Sequence, residues 1–208
     1  MILIGQYDSP FVRRVGIALR LYGFRFEHRP WSVFGDAEKI RPLNPLVRVP
    51  TFVTDDGTVL FDSASMLDYL DHRVPESERL LPMSEPARHK ALRIATLATG
   101  LAEKAVSLFY EKRLHETTSK VWEERCREQA RGALHLLETE RANAVQPYWF
   151  GDRIGHADIA AACALRFVTA AHPDLIDWAR APALKAHSDR CEALPVFQEI
   201  SQAYIPPA

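Results

Sequence analysis

The polar residues best placed for chemistry lie where predicted strands and helices meet. Ser9-Pro10 opens a helix, because serine is a good N-cap and proline fits the first helical position. A hydroxyl there lies at the positive end of the helix, where it can donate a hydrogen bond to an anion. Most capping serines have no further role, so the spacing of this stretch alone favours a purely structural cap.

Two further stretches flank a predicted hairpin. Pro50 directly precedes a strand, which suits a residue that cannot donate to a ladder, and its bond to Val49 could be cis or trans. Asp62-Ser63 follows the second strand and begins another helix. An acid beside an N-cap is common, so each stretch taken alone is explained by folding.

A fourth stretch predicts a folding device. With Gly155 as N-cap, Asp158 is the third helical residue and completes a capping box.

The histidines lack the HxxxH and HExxH spacings, so we expect no metal site. Cys126, Cys163 and Cys191 are too few and too far apart for a disulfide framework, which indicates a reducing compartment.

Composition excludes several classes of protein. The 208 residues are 47% hydrophobic and 25% charged, as in ordinary globular proteins. A net charge of -1 leaves no broad basic face, so nucleic acid is not expected as the main partner. No apolar stretch approaches about 20 residues and no export signal is present, so we expect a cytoplasmic protein with no membrane association.

The predicted elements divide the chain into an α/β part and an all-α part. Residues 1–76 follow the order βαβαββα, residues 77–86 form a proline-rich linker, and residues 87–208 are helical. The predicted strands are 1–4, 24–28, 51–54 and 59–61; the predicted helices begin at residue 10, near residue 36 and at residue 63. Further helices are predicted at 87–110 or beyond, 121–141, 159–171 and 181–193.

In this order, four motifs resemble those of the soluble glutathione S-transferases. The motifs are SPFVRRV (9–15), NPLVRVP (44–50), FDSASMLDYL (61–70) and GDRIGHADI (151–159). The resemblance covers essentially the whole chain and implies a thioredoxin-like domain followed by an all-helical domain. It is to the serine-type branch, which includes bacterial, tau, zeta and theta members.

The resemblance also implies which residues contact glutathione. Ser9 would donate a hydrogen bond to the glutathione sulfur. Val49, followed by Pro50 with a cis bond, would pair its backbone with the cysteinyl part. Tyr7 is the competing candidate for the sulfur, because other branches use a tyrosine near the end of the first strand.

The charged ends of glutathione need further partners. By resemblance, Asp62 would pair with the γ-glutamyl amino group, while Ser63 and the helix N-terminus would receive the carboxylate. A cation from the irregular segment would take the glycine carboxylate, with Lys39 the first candidate and Arg48 the second.

The resemblance implies an activity and an acceptor. A glutathione thiolate would attack a small apolar electrophile or a peroxide held between the domains, against Phe11 and the long helix near Tyr110; ordinary core packing is the alternative for that part of the helix. No metal or redox cofactor is implied, glutathione being a co-substrate, and a homodimer is expected. The SSCxxxR signature is absent, which disfavours maleylacetoacetate isomerisation, and no cysteine precedes Cys126 to act as a thiol-disulfide nucleophile.

A second class of function stays open at this point. Glutathione-transferase folds also serve as non-catalytic interaction modules, such as the stringent-starvation protein that binds RNA polymerase. Such a module has no need of the sulfur-contacting hydroxyl or the helix-opening acid. The presence of Ser9, Asp62 and Ser63 favours the enzyme.

Overall fold

The amino-terminal part folds as a four-stranded sheet with helices, which confirms the predicted βαβαββα order. A computed structural model describes residues 1–204. The elements are β1 (Ile2–Ile4), α1 (Pro10–Leu21), β2 (Glu27–Arg29), α2 (Ala37–Ile40), β3 (Thr51–Val53), β4 (Val59–Phe61) and α3 (Ser63–Asp71). The strand order is β2-β1-β3-β4; β2 is parallel to β1, and the β1–β3 and β3–β4 pairs are antiparallel.

The strand register brings three chain segments to one end of the sheet. Ile4 at the end of β1 pairs with Thr51 at the start of β3, and Thr51 pairs with Phe61 at the end of β4. The residues just beyond these pairs are therefore neighbours across the sheet. They begin the β1–α1 loop, the segment before β3 and helix α3.

Helix α1 begins as predicted from its cap. Ser9 is the N-cap and Pro10 the first helical residue. The helix buries most of its apolar positions and also Arg13, whose guanidinium is paired with both carboxylate oxygens of Glu192 at 2.6 and 2.8 Å. This pair fastens the amino-terminal domain to the helical domain. Gly23, with a φ of 71°, follows the helix end.

The carboxyl-terminal part is helical, as predicted. Its helices are α4 (Ala87–Leu114), α5 (Lys120–Ala142), α6 (His156–Ala171), α7 (Pro182–Glu192) and α8 (Pro195–Glu199). Helix α6 is almost wholly buried between α4, α1 and α7, which confirms its predicted central position. The capping box is also present: the Gly155 N–H donates to Asp158 Oδ2 at 2.9 Å.

The structure differs from the prediction at one strand start and in one additional helix. Strand β2 begins at Glu27 rather than residue 24, because the Phe24 N–H still bonds the Leu19 carbonyl at the end of α1. Phe24 instead packs against the core beside the sheet. Pro195 follows the end of α7, as expected, and it also begins a further helix, α8, which was not predicted. A proline that stops one helix also fits the first turn of the next.

The expected domain limits, 1–76 and 87–208 with a linker at 77–86, stay predictions.

Among residues 1–204, no single helix has both the length and the hydrophobicity needed to span a membrane. A pair made of α6 and residues 173–180 meets the criterion jointly, but it is bent by 113°, and α6 is part of the protein core.

Candidate functional site

A cavity of about 560 Å³ lies where the end of the sheet faces the helical domain. Its floor comes from the β1–α1 loop and the start of α1, one wall from residues 31–34 and 46–49, and the other from α4, α6 and the carboxyl-terminal segment. Of the residues predicted to act on substrates, the cavity brings together Ser9, Phe11, Arg48, Val49 and Tyr110. The side chains of Lys39, Pro50, Asp62 and Ser63 lie outside its lining.

Ser9 places a hydroxyl at the junction of the cavity and helix α1. Its backbone is extended, with φ -68° and ψ 123°, and the Val12 N–H donates to its Oγ at 3.4 Å. Among residues 1–204 the hydroxyl itself donates no hydrogen bond, so its proton is available to a ligand. The positive end of the α1 helix dipole also favours an anion at this position.

Tyr7 is directed elsewhere. Its ring stacks on His28 with centroids 3.9 Å apart and lies against α1 at Gly16, where an added Cβ would be 2.9 Å from Tyr7 Cε1. Burial raises the pKa of Tyr7 to about 12. The ring is outside the cavity lining, so the structure separates the two candidates for the sulfur.

The segment before β3 presents Val49 to the cavity. The Val49–Pro50 bond is cis, as predicted, and Pro50 is buried behind Val49. Asn44 stabilises this segment through two hydrogen bonds. Its buried Nδ2 donates to the Arg48 carbonyl at 3.0 Å and to Thr51 Oγ1 at 2.9 Å. These bonds fix the backbone on both sides of Val49.

The two candidate cations are placed differently. Arg48 lines the cavity and forms no ion pair with any residue in 1–204; burial raises the pKa of the nearby Tyr110, and the Arg48 charge opposes that rise. Lys39 Nζ is 2.6 Å from Asp36 Oδ1 and lies 5.8 Å from the Trp31 ring centroid. Arg48 is therefore the better placed of the two.

Asp62 and Ser63 lie at the same end of the sheet as Val49. Asp62 follows β4 and is the N-cap of α3; its φ of 69° is unusual for a residue with a side chain, and its Oδ1 accepts from the Ala64 N–H at 2.7 Å. Asp62 is exposed and Ser63 is buried. Burial lowers the pKa of the nearby Arg14 to about 10, and the negative charge of Asp62 opposes that lowering.

Aromatic rings form the helical side of the cavity, and the sequence indicated only some of them. Phe34 lies edge-on to Phe109 and Tyr110, and Tyr204 lies edge-on to Phe109 and Phe167. Phe34 and Tyr204 come from irregular segments with no periodicity to read. Phe167 lies on α6, whose all-apolar pattern predicted burial and hid its contribution to the cavity wall.

Comparison with protein families decides the identity of this fold. Residues 3–78 match the model of the glutathione S-transferase N-terminal domain, and residues 120–190 match that of the C-terminal domain. The chain belongs to the glutathione S-transferase family. The predicted fold class, a thioredoxin-like domain followed by a helical domain, is thereby confirmed.

Individual glutathione S-transferases resemble most or all of the chain. A Methylobacterium radiotolerans enzyme solved with glutathione sulfonate is 29% identical, with a TM-score of 0.88 over 100% of this chain and 98% of that one. A Pseudomonas fluorescens family member solved with bound glutathione is 30% identical, with a TM-score of 0.84 over 100% and 99%. A glutathione S-transferase of Arabidopsis thaliana is 28% identical over 77% of this chain and 70% of its own length.

In this glutathione S-transferase family member the cysteines are placed as structural residues. Cys126, Cys163 and Cys191 are buried, and burial raises the pKa of Cys163 to about 11, so its thiol is not a ready nucleophile. Within residues 1–204 no group of three or more histidine, cysteine or acidic side chains is arranged to hold a metal ion.

Proposed function

We propose that this protein is a glutathione transferase of the serine-type branch in which Ser9 stabilises the glutathione thiolate. The observation that carries the proposal is the position of Ser9, whose hydroxyl proton is free in residues 1–204, at the N-terminus of α1 and on the cavity floor. Relatives solved with glutathione and glutathione sulfonate support a tripeptide ligand at this fold.

Glutathione fits the end of the sheet as a short extended chain. Its cysteinyl backbone pairs with Val49, beside Pro50. Asp62 pairs with the γ-glutamyl amino group, and the N-terminus of α3 at Ser63 receives the carboxylate. The glycine carboxylate takes Arg48, which forms no other ion pair within residues 1–204.

The expected thiolate stabilisation is sizeable. A free thiol has a pKa near 8.5, so about 7% is ionised at pH 7.4. One hydrogen bond to a charged group contributes about 1.5–3 kcal/mol and a helix terminus about 0.3–1 kcal/mol. Together they lower the pKa by roughly 1.5–3 units, which leaves most of the bound glutathione as thiolate. Further acceleration comes from holding the acceptor in position.

The acceptor is a small apolar electrophile or a peroxide. It lies against Phe11 and the aromatic wall that includes Phe109 and Tyr110, on the side of the cavity away from the sheet. The thiolate attacks an electrophilic carbon and forms a thioether while the leaving group departs with the bonding electron pair. With a peroxide, the thiolate attacks one oxygen and breaks the O–O bond, which gives glutathione sulfenic acid and an alcohol; a second glutathione then converts the sulfenic acid to glutathione disulfide and water. Glutathione is the co-substrate, with no metal or redox cofactor proposed, and the protein acts in the cytoplasm.

A homodimer completes the proposal. Leu46, in the segment before β3, and Phe61, at the end of β4, are exposed apolar side chains at 62% and 39% of full exposure, and contact with a second copy would bury them. Sedimentation velocity tests this directly. A monomer at micromolar concentration would contradict it without touching the proposed chemistry.

Binding and turnover separate this function from a non-catalytic module. We expect calorimetry to show one glutathione per chain, and a chlorodinitrobenzene-type acceptor to be conjugated at a rate that saturates with glutathione. Failure to bind glutathione would contradict the proposal. Binding without turnover of any member of a broad electrophile and peroxide panel would favour the interaction module over the enzyme.

A further inference from the structure

The carboxyl-terminal segment is bonded to the loop that precedes Ser9. The Tyr7 N–H donates to Gln202 Oε1 at 3.2 Å, across 195 residues of sequence. The neighbouring N–H groups of the same loop bond elsewhere: Gly5 donates to the Arg29 carbonyl and Ser9 to the Gln6 carbonyl. Gln202 therefore supplies the acceptor for Tyr7, between the strand end and the helix cap.

The segment that carries Gln202 is itself fixed. Arg166 on α6 donates to Ser201 Oγ at 2.8 Å and to the Gln202 carbonyl at 3.2 Å. The buried Arg13 on α1 donates to the Ile200 carbonyl at 2.8 Å. Both arginines also pair with Glu192 on α7. These bonds hold the segment that carries Gln202 in a fixed position against α1 and α6.

The Tyr7 ring adds a second contact between the loop and the segment. It occupies a notch in α1 at Gly16, and Ile200 Cγ2 lines the same notch, 3.0 Å from where a Gly16 Cβ would lie. The loop is thus held by its backbone at Gln202 and by its side chain beside Ile200. Ser9 lies two residues beyond Tyr7.

We infer that Gln202 is a positioning residue for the thiolate site: through the Tyr7 amide it holds the β1–α1 loop so that the Ser9 hydroxyl points at the glutathione sulfur. The inference rests on the proposed function of Ser9. Gln202 is outside the cavity lining, so it acts through the loop and has no contact with the substrate.

The test replaces the acceptor by an apolar side chain of the same length. Gln202→Met removes the bond to Tyr7. Gln198→Met makes the same change on α8 at an exposed position; within residues 1–204 the Gln198 side chain bonds only the Ala193 carbonyl, at 3.5 Å. Each variant is titrated with pH as its glutathione complex, using the ultraviolet absorbance of the thiolate, and is assayed with a chlorodinitrobenzene-type acceptor. Binding of S-methylglutathione, which has no ionisable thiol, is measured alongside.

Three results are expected of Gln202→Met relative to the wild type. The pKa of bound glutathione rises by about 0.5–1 unit, since the hydroxyl loses part of its alignment with the sulfur. The kcat/KM value falls by about 3- to 10-fold because the reacting groups are less well oriented. The Kd of S-methylglutathione changes by less than about 2-fold, because its principal binding groups lie on other segments. Gln198→Met behaves as the wild type.

Each other outcome has a defined meaning. If the wild-type complex shows a shifted thiolate titration and Gln202→Met shows the same one, the positioning role is overturned while the proposed function stands. If S-methylglutathione binding and thermal stability fall as much as kcat/KM does, Gln202 only supports the fold, which also overturns the inference. If wild-type glutathione shows no lowered thiol pKa, the proposed function fails and the inference fails with it.

Discussion

Arg48 and Lys39 show how the structure separates two cations that the sequence left as alternatives. Arg48 lines the cavity and has no ion pair within residues 1–204, whereas Lys39 is already paired with Asp36. We predict that Arg48→Gln weakens glutathione binding by roughly 2- to 12-fold, which corresponds to about 0.5–1.5 kcal/mol, the usual net value of one hydrogen bond. Lys39→Gln serves as the matched control in the same calorimetric titration. A larger loss in Lys39→Gln would reverse the assignment.

In the proposed glutathione complex, Asp62 supplies a negative charge that helix capping alone does not require. Asp62→Asn keeps the size, the capping oxygen and a residue type that tolerates positive φ, but it removes the charge proposed to pair with the γ-glutamyl amine. We predict that glutathione binds about 10-fold or more weakly, as expected for one lost charged hydrogen bond. The Tm should hardly move. Unchanged glutathione affinity by calorimetry would show that Asp62 is only a cap.

At the scale of elements, Gly5 lets three segments meet at the end of the sheet. It has a φ of 131°, and an added Cβ would lie 2.5 Å from Val12 Cγ2 and 2.8 Å from Val49 Cβ. Any side chain there would therefore push α1 and the segment before β3 apart. Gly57 also has a positive φ, of 85°, but open space surrounds its Cα.

These two glycines form a matched pair for mutagenesis. We predict that Gly5→Ala lowers the free energy of unfolding by about 3 kcal/mol or more, because backbone strain and overpacking add. Gly57→Ala, which carries strain alone, should cost about 1 kcal/mol. Chemical denaturation measures both. Equal losses would show that the close approach of Val49 to the β1–α1 loop does not matter for stability.

Local sequence signals predicted the elements whose ends are capped. Ser9-Pro10 and the Gly155–Asp158 box gave the starts of α1 and α6 correctly, because capping is decided within a few residues. The start of strand β2 was predicted three residues too early. Apolar and polar residues also alternate in residues 24–26, which precede the strand. The contribution of Phe34 and Tyr204 to the cavity lining could not be predicted, because only tertiary packing brings these irregular segments to the cavity.

At the scale of the whole molecule, stability depends on pH through two buried groups in the helical domain whose pKa values are shifted in opposite directions. His187 Nε2 lies 3.6 Å from Asp158 Oδ1, and both side chains are buried. Burial, assisted by the Arg141 charge, lowers the pKa of His187 from 6.5 to about 3. Burial raises the pKa of Asp158 from 3.8 to about 6. The folded state thus resists protonation at the histidine and favours it at the aspartate.

The two groups give stability opposite pH dependences. The contribution of His187 is complete above pH 6.5 and is lost as the pH falls toward 3; that of Asp158 is complete below pH 3.8 and is lost as the pH rises through 6. We predict that the stability advantage of the wild type over His187→Gln shrinks by about 2 kcal/mol between pH 7 and pH 5. Denaturation at a series of pH values measures this gap. A gap that stays constant over that range would mean that His187 titrates alike in the folded and unfolded chains.

The central claim is that Ser9, and not Tyr7, stabilises the glutathione thiolate. The most direct measurement is the pH titration of thiolate absorbance in the glutathione complexes of the wild type, Ser9→Ala and Tyr7→Phe. We predict that Ser9→Ala raises the pKa of bound glutathione by about one unit or more, a loss of about 1.4 kcal/mol of thiolate stabilisation. Tyr7→Phe should leave the curve in place, because its ring stacks on His28 outside the cavity lining. A shift in Tyr7→Phe with none in Ser9→Ala would contradict the account and assign the protein to the tyrosine-type branch.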